Sequence, residues 1–146
     1  MTTRVETIKT LPHPLNFQIH RGSFFEFETV EFSRDPITPV DRTGCTARAG
    51  LRDTDSAATL RLFTVTVAKV TGSLSVYDPV TRQTIDLGVV DYWPIKLVMP
   101  YTDTKSIVGG VVPWELDIID SSGRVQTPFA GIVTTTGQVI ADEDVV

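Results

Sequence analysis

Residues 114–133, Trp114-Glu115-Leu116-Asp117-Ile118-Ile119-Asp120-Ser121-Ser122-Gly123-Arg124-Val125-Gln126-Thr127-Pro128-Phe129-Ala130-Gly131-Ile132-Val133, decide the fold class. Trp114, Leu116 and Ile118 alternate with Glu115 and Asp117. A period of two belongs to a strand with one apolar and one polar side, so Trp114 is expected to face inward with its two aliphatic neighbours. Asp120-Ser121-Ser122-Gly123 is turn chemistry, and the β-branched run Val125 to Val133 follows it. The stretch therefore reads as an antiparallel hairpin.

The same alternation recurs upstream. Cys45, Ala47, Ala49 and Leu51 share one side of a strand, and Thr46, Arg48, Gly50 and Arg52 take the other. Leu60 to Val70 places Phe63, Val65 and Val67 opposite Thr64 and Thr66. Phe25 and Phe27 oppose Glu26 and Glu28, after which Val30 and Phe32 fall on the second side, a change of phase that predicts a bulge or twist near Thr29. Ser73 to Val90 reads as a hairpin around Asp78-Pro79, and Ile95, Leu97 and Met99 form a strand stopped by Pro100. Tyr101 to Ser106 fits a single helical turn or a loop. Strands at intervals of about 8–12 residues, with no long amphipathic helix, predict an all-β protein made of a single antiparallel β-sandwich.

Composition agrees. The chain has 146 residues, the size of one domain, and Thr and Val together number 40 against 4 Lys. Thirteen basic and eighteen acidic residues leave a net charge of -5, which offers no basic patch for phosphate neutralisation and argues against a nucleic-acid partner. The opening MTTRVETIKT has no apolar signal region, and no run reaches the ~18 apolar residues of a membrane span, so a soluble chain without export signal or membrane partner is expected. Cys45 is the one cysteine and cannot close an intrachain disulfide.

Three regions are expected: an N-terminal arm or edge strand (1–23), a sandwich domain (24–141) and an acidic tail (142–146). In the arm, Leu11-Pro12-His13-Pro14 holds the chain extended, and Leu15, Phe17 and Ile19 alternate with polar residues. The arm is either the first edge strand of the domain or an extension that pairs with a neighbouring subunit. Leu11, Leu15, Phe17 and Ile19 are accordingly candidate protein-interaction residues. So are Ile107, Val108, Val111 and Val112, from an uncharged apolar run before the hairpin.

Candidate chemistry is sparse. Cys45 on a small-residue face reads as a compact core hydrophobe, because no His and acid accompany it as nucleophilic catalysis requires. His13 and His20 lack partners at metal-ligand spacing. Asp53 and Asp55 read as turn-capping residues without the further oxygen ligands of a calcium loop. Gly109-Gly110 lacks the Lys and Ser or Thr of a phosphate loop. No catalytic residue, metal or cofactor is expected, and the chain does not read as an enzyme. Tyr92 and Trp93, between two strands, raise one sharper alternative: an aromatic platform for sugar rings, hence a carbohydrate-binding module.

Three features carry a family likeness. Pro39-Val40-Asp41-Arg42-Thr43-Gly44-Cys45-Thr46-Ala47-Arg48-Ala49-Gly50-Leu51-Arg52 is similar to a "P-V-D-L-T-G-Y-T-A-R-x-x-I-R" segment. Trp114-Glu115-Leu116-Asp117-Ile118, the turn Asp120 to Gly123 and Ala130-Gly131-Ile132-Val133 look like a closing hairpin of "Y-x-Y-D-L-E", "D-G-x-V" and "E-G-x-V-x-V". With His20-Arg21-Gly22-Ser23 leading into the aromatic strand, the chain resembles the small immunoglobulin-like β-sandwich proteins of tailed-phage virions, including N-terminal domains of baseplate upper proteins. Arg42 stands where that pattern has Leu, Cys45 where it has an aromatic residue, and the Ser73 to Val90 insert is longer. The resemblance implies a virion structural protein of tail or baseplate, made in the host cytoplasm, that attaches fibres or bridges subunits. Its implied partners are other phage structural proteins and copies of itself. A capsid decoration protein is the alternative within the same class.

Overall fold

The computed structural model describes residues 4–7, 13–34, 36–52, 59–107 and 110–137. Leu11, Val108, Gly109, Asp53, Asp55 and the acidic tail therefore lie outside the described residues. The arm carries three short strands, β1 (Arg4–Thr7), β2 (His13–Pro14) and β3 (Phe17–His20). They are followed by β4 (Phe25–Thr29), β5 (Phe32–Ser33), β6 (Thr38–Pro39), β7 (Thr46–Arg52) and β8 (Thr59–Val67). A hairpin, β9 (Val70–Asp78) and β10 (Gln83–Tyr92), precedes β11 (Ile95–Met99) and the single turn α1 (Tyr101–Thr104). The chain closes with β12 (Val111–Ile119) and β13 (Val125–Thr136).

The all-β expectation holds, and the strands divide among three sheets. The largest runs β2-β13-β12-β7-β8-β11-β4, with β3 also on β13; a second is β1-β9-β10; a third pairs β5 with β6. The hairpin read from 114–133 is present: Trp114 pairs with Gly131 and Leu116 with Phe129, and a bulge lies between Leu116 and Ile118. Its turn is held by the Asp120 carboxylate, which accepts the amides of Ser122 and Arg124, both at 2.9 Å, while Gly123 takes φ 87°. The predicted change of phase near Thr29 is the end of β4, after which Val30, Glu31 and Phe32 are all buried.

The main sheet bends until its two ends face one another. β3 and β4 are far apart in the hydrogen-bonded order yet adjacent in sequence, and Phe17 of β3 stacks on Phe25 at 5.1 Å and Phe27 at 5.8 Å of β4. Phe63 and Trp114 complete this aromatic cluster, with Leu51, Leu97, Leu116 and Phe129 around it. Offset and tilted ring contacts of this kind add to the burial of the rings themselves. The join is also tied by polar contacts. The Arg21 guanidinium donates to the Ile107 carbonyl, the Thr135 hydroxyl and the Gly137 carbonyl, and Thr104 of α1 accepts from the Gly22 amide and donates to the Ser23 carbonyl.

A second, smaller core of Val30, Phe32, Leu74, Val76 and Tyr92 sits under the β9–β10 hairpin. The hairpin turn is fixed by a two-point ion pair, Arg34 to Asp78, at 2.8 and 2.9 Å. A buried ion pair ties the segment after β4 to the turn before β7: the Arg42 guanidinium meets both oxygens of Glu31, at 2.8 and 2.6 Å, and also reaches Gln126 at 3.0 Å.

Candidate functional site

The arm is bound by backbone geometry. β1 pairs in parallel with β9, Arg4 opposite Leu74, while β2 and β3 pair in parallel with β13, His13 opposite Phe129 and Phe17 opposite Val133. Between β2 and β3 the chain crosses Gly131, and a Cβ there would lie 2.2 Å from the Leu15 carbonyl oxygen. The missing side chain is what lets the arm approach. Three hydrogen bonds use the space: Leu15 N–H to the Ala130 carbonyl at 2.9 Å, the Trp114 indole N–H to the Leu15 carbonyl at 2.7 Å, and Ile132 N–H to the Asn16 side chain at 2.9 Å. Arg4 pairs with Glu6, reaches Glu28 on β4 and lies over the Tyr92 ring, so the arm bridges two sheets.

The residues expected to contact partners divide by strand parity. Ile19 (0 % exposed), Ile107 and Val112 are buried in the chain's own core, and Leu15 and Phe17 pack against it. Val111 points outward at 60 % exposure, and Ile132, across the β12–β13 ladder at 44 %, shares its side of the sheet. An apolar run that looks uniform in sequence is thus split by a period of two into core and surface. Cys45 is half-buried and packs against the main core.

The surface recesses include two lined by arginine side chains. The first, about 350 Å³, lies on the outer side of the main sheet, with Gly50 among the residues that line it. Arg48 pairs there with Asp117 at 3.3 Å and Arg52 with Glu115 at 2.5 Å, and the Thr127 hydroxyl donates to Asp117 at 2.7 Å. Each carboxylate faces an arginine, so opposite charges cancel across adjacent strands. Among the described residues, no three of His, Cys, Asp and Glu come together in a metal-ligating group, and no helix is long and apolar enough to cross a membrane.

The second recess, about 240 Å³, lies where the chain passes between the two larger sheets. The 68–69 link supplies Lys69, the 93–94 link supplies Trp93, and the turn before β7 supplies Arg42, Thr43 and Cys45. Of the aromatic pair picked out in the sequence, Tyr92 turns into the small core at 5 % exposure, while Trp93 remains half-buried in this recess. Lys69 carries no sequence signal, because an isolated lysine on a β-rich chain gives no pattern. Beside it, the hydroxyl and amide of Thr43 hold the Asp41 carboxyl below its ordinary range, with the charge of Lys69 adding to the effect.

No protein-family model and no curated protein matches the chain. Among solved structures, it is similar to the sialic acid binding region of a Streptococcus sanguinis SK1 adhesin bound to 3'sLn, at 15% identity and a TM-score of 0.34. That match covers 86% of this chain and 29% of the adhesin chain, so the protein spans under a third of its neighbour's length. A likeness this distant carries neither fold nor ligand across.

Proposed function

We propose that the chain is a structural component of a tailed-phage virion, in the tail or baseplate, that attaches fibres or bridges neighbouring subunits. It does so as an immunoglobulin-like sandwich module present in several copies. The observation that carries this reading is the arm: three short strands add in parallel to β9 and β13 through backbone hydrogen bonds. Such pairing needs little side-chain complementarity, and the same ladders can accept a segment from a neighbour. The outward Val111 and Ile132 supply apolar surface for burial in an assembly. The likeness of residues 39–52 and 114–133 to virion sandwich segments supports the same reading.

The test is quantitative mass spectrometry of separated heads and tails from particles of the phage that encodes the chain. The chain is expected in the tail fraction, at a multiple set by tail or baseplate symmetry. Recovery with heads at capsid copy number replaces the proposal with a decoration protein. Absence from both fractions refutes it.

A further inference from the structure

We propose that the recess between the two larger sheets binds a saccharide that carries a carboxylate, with Trp93 as the wall for the sugar ring and Lys69 as the counter-ion. Three connections, rather than one loop, build the site, so its walls are set by the packing of both sheets. Trp93 lies between two buried residues, Tyr92 and Pro94, and the proline that follows it restricts its backbone. A half-exposed indole offers a flat apolar surface beside polar groups, which matches the C–H side of a pyranose.

The charge in the recess has one sign. Among the described residues no acidic side chain lines it, and of its two cations Arg42 is already neutralised by Glu31. Lys69 makes no hydrogen bond or ion pair with a described residue, and its charge acts on the exposed Asp41 beside the recess. A chain of net charge -5 thus presents a cation at the mouth of a recess beside an aromatic ring. One available ammonium suits a carboxylate better than a phosphate, which usually recruits several donors at once. The volume of about 240 Å³ is a little below the ~300 Å³ where small-molecule sites usually begin, room for one sugar ring. Thr43, whose hydroxyl donates to Asp41, also lines the recess and keeps lone pairs that can accept from a ring hydroxyl.

The experiment is titration of the full chain with glucuronic acid and with the methyl glycoside of N-acetylneuraminic acid, with glucose and galactose as neutral counterparts. Binding is read by tryptophan fluorescence and saturation-transfer NMR. Acidic sugars are expected to bind with Kd near millimolar, weakening as salt screens the ion pair. Lys69→Glu, at an exposed position, should weaken binding about tenfold or more. Trp93→Phe should abolish the fluorescence change, because the other tryptophan, Trp114, is buried in the main core. Failure of both acidic sugars to bind well above millimolar overturns the proposal. Equal binding of the neutral sugars, or affinity unchanged in Lys69→Glu, overturns it as well. The outcome is independent of where in a particle the chain resides.

Discussion

Gly131→Ala tests how the arm is held. A Cβ at this position would lie 2.2 Å from the Leu15 carbonyl oxygen and 2.7 Å from the Asn16 side-chain oxygen, where ordinary contact begins at 3.4 Å. The nearer atom is backbone, so no rotamer change relieves the clash, and the arm must withdraw by about 1 Å. Withdrawal breaks or stretches the three hydrogen bonds through which Leu15 and Asn16 meet β12 and β13. At about 1 kcal/mol each, their loss destabilises the fold by about 3 kcal/mol. The partner measurement is Gly110→Ala, where an added Cβ meets nothing within 4 Å. That change should be neutral or stabilise by about 0.4–1 kcal/mol through the unfolded chain. Urea unfolding followed by tryptophan fluorescence reports both, and Trp114 is a direct probe because its indole donates to Leu15. A cost below about 1 kcal/mol for Gly131→Ala, or an equal cost for Gly110→Ala, refutes a steric crossing of the arm at Gly131.

Further predictions concern the ion pairs and the aromatic cluster. Arg42→Leu alone should cost about 3–5 kcal/mol by leaving the Glu31 carboxylate buried without its partner, and Glu31→Leu with Arg42→Leu should recover most of that; chemical denaturation of both singles and the double closes the cycle. Phe17→Ala removes a ring within 4.8 Å of Trp114 and 5.1 Å of Phe25. It should lower the urea midpoint by an amount equivalent to about 3 kcal/mol, with the m-value unchanged. The Asp78 carboxyl is held well below the usual carboxylate range, chiefly by the Arg34 guanidinium. Its stabilisation is present in full above the unfolded carboxylate value, about 3.9, and is lost as pH falls through the folded one. Asp78→Asn should therefore be less stable than the parent at neutral pH, with a gap that narrows below about pH 4. A gap that stays constant or widens in acid contradicts the assignment.

Much of the strand content was legible because a period of two is a local signal. The inward set Trp114, Leu116 and Ile118 and the inward Ala49 and Leu51 all follow from alternation alone, and all are buried. The same rule separates Val111 from Val112 once the phase of the strand is fixed by Trp114. The candidate contact residues were less legible. Ile19 and Ile107 are apolar whether they meet a neighbour or the chain's own core, and sequence holds no term for that difference. Trp93 could be picked out as an aromatic residue between strands; its separation from Tyr92 depended on which of the two turned into the small core.

By itself, the sequence determined the class of structure and the side of each strand that is apolar, because side-chain alternation is written in adjacent residues. Only the tertiary structure decided which strands pair. The parallel addition of β1 to β9 joins residues some 70 positions apart, and no short-range pattern encodes it. The closing of the main sheet through Phe17, Phe25 and Phe27 is of the same kind, as is the use of Gly131 as a crossing point for the arm. So is the meeting of Lys69, Trp93 and the turn before β7 in one recess. These features depend on distances between segments, which a linear pattern constrains through the core but does not name.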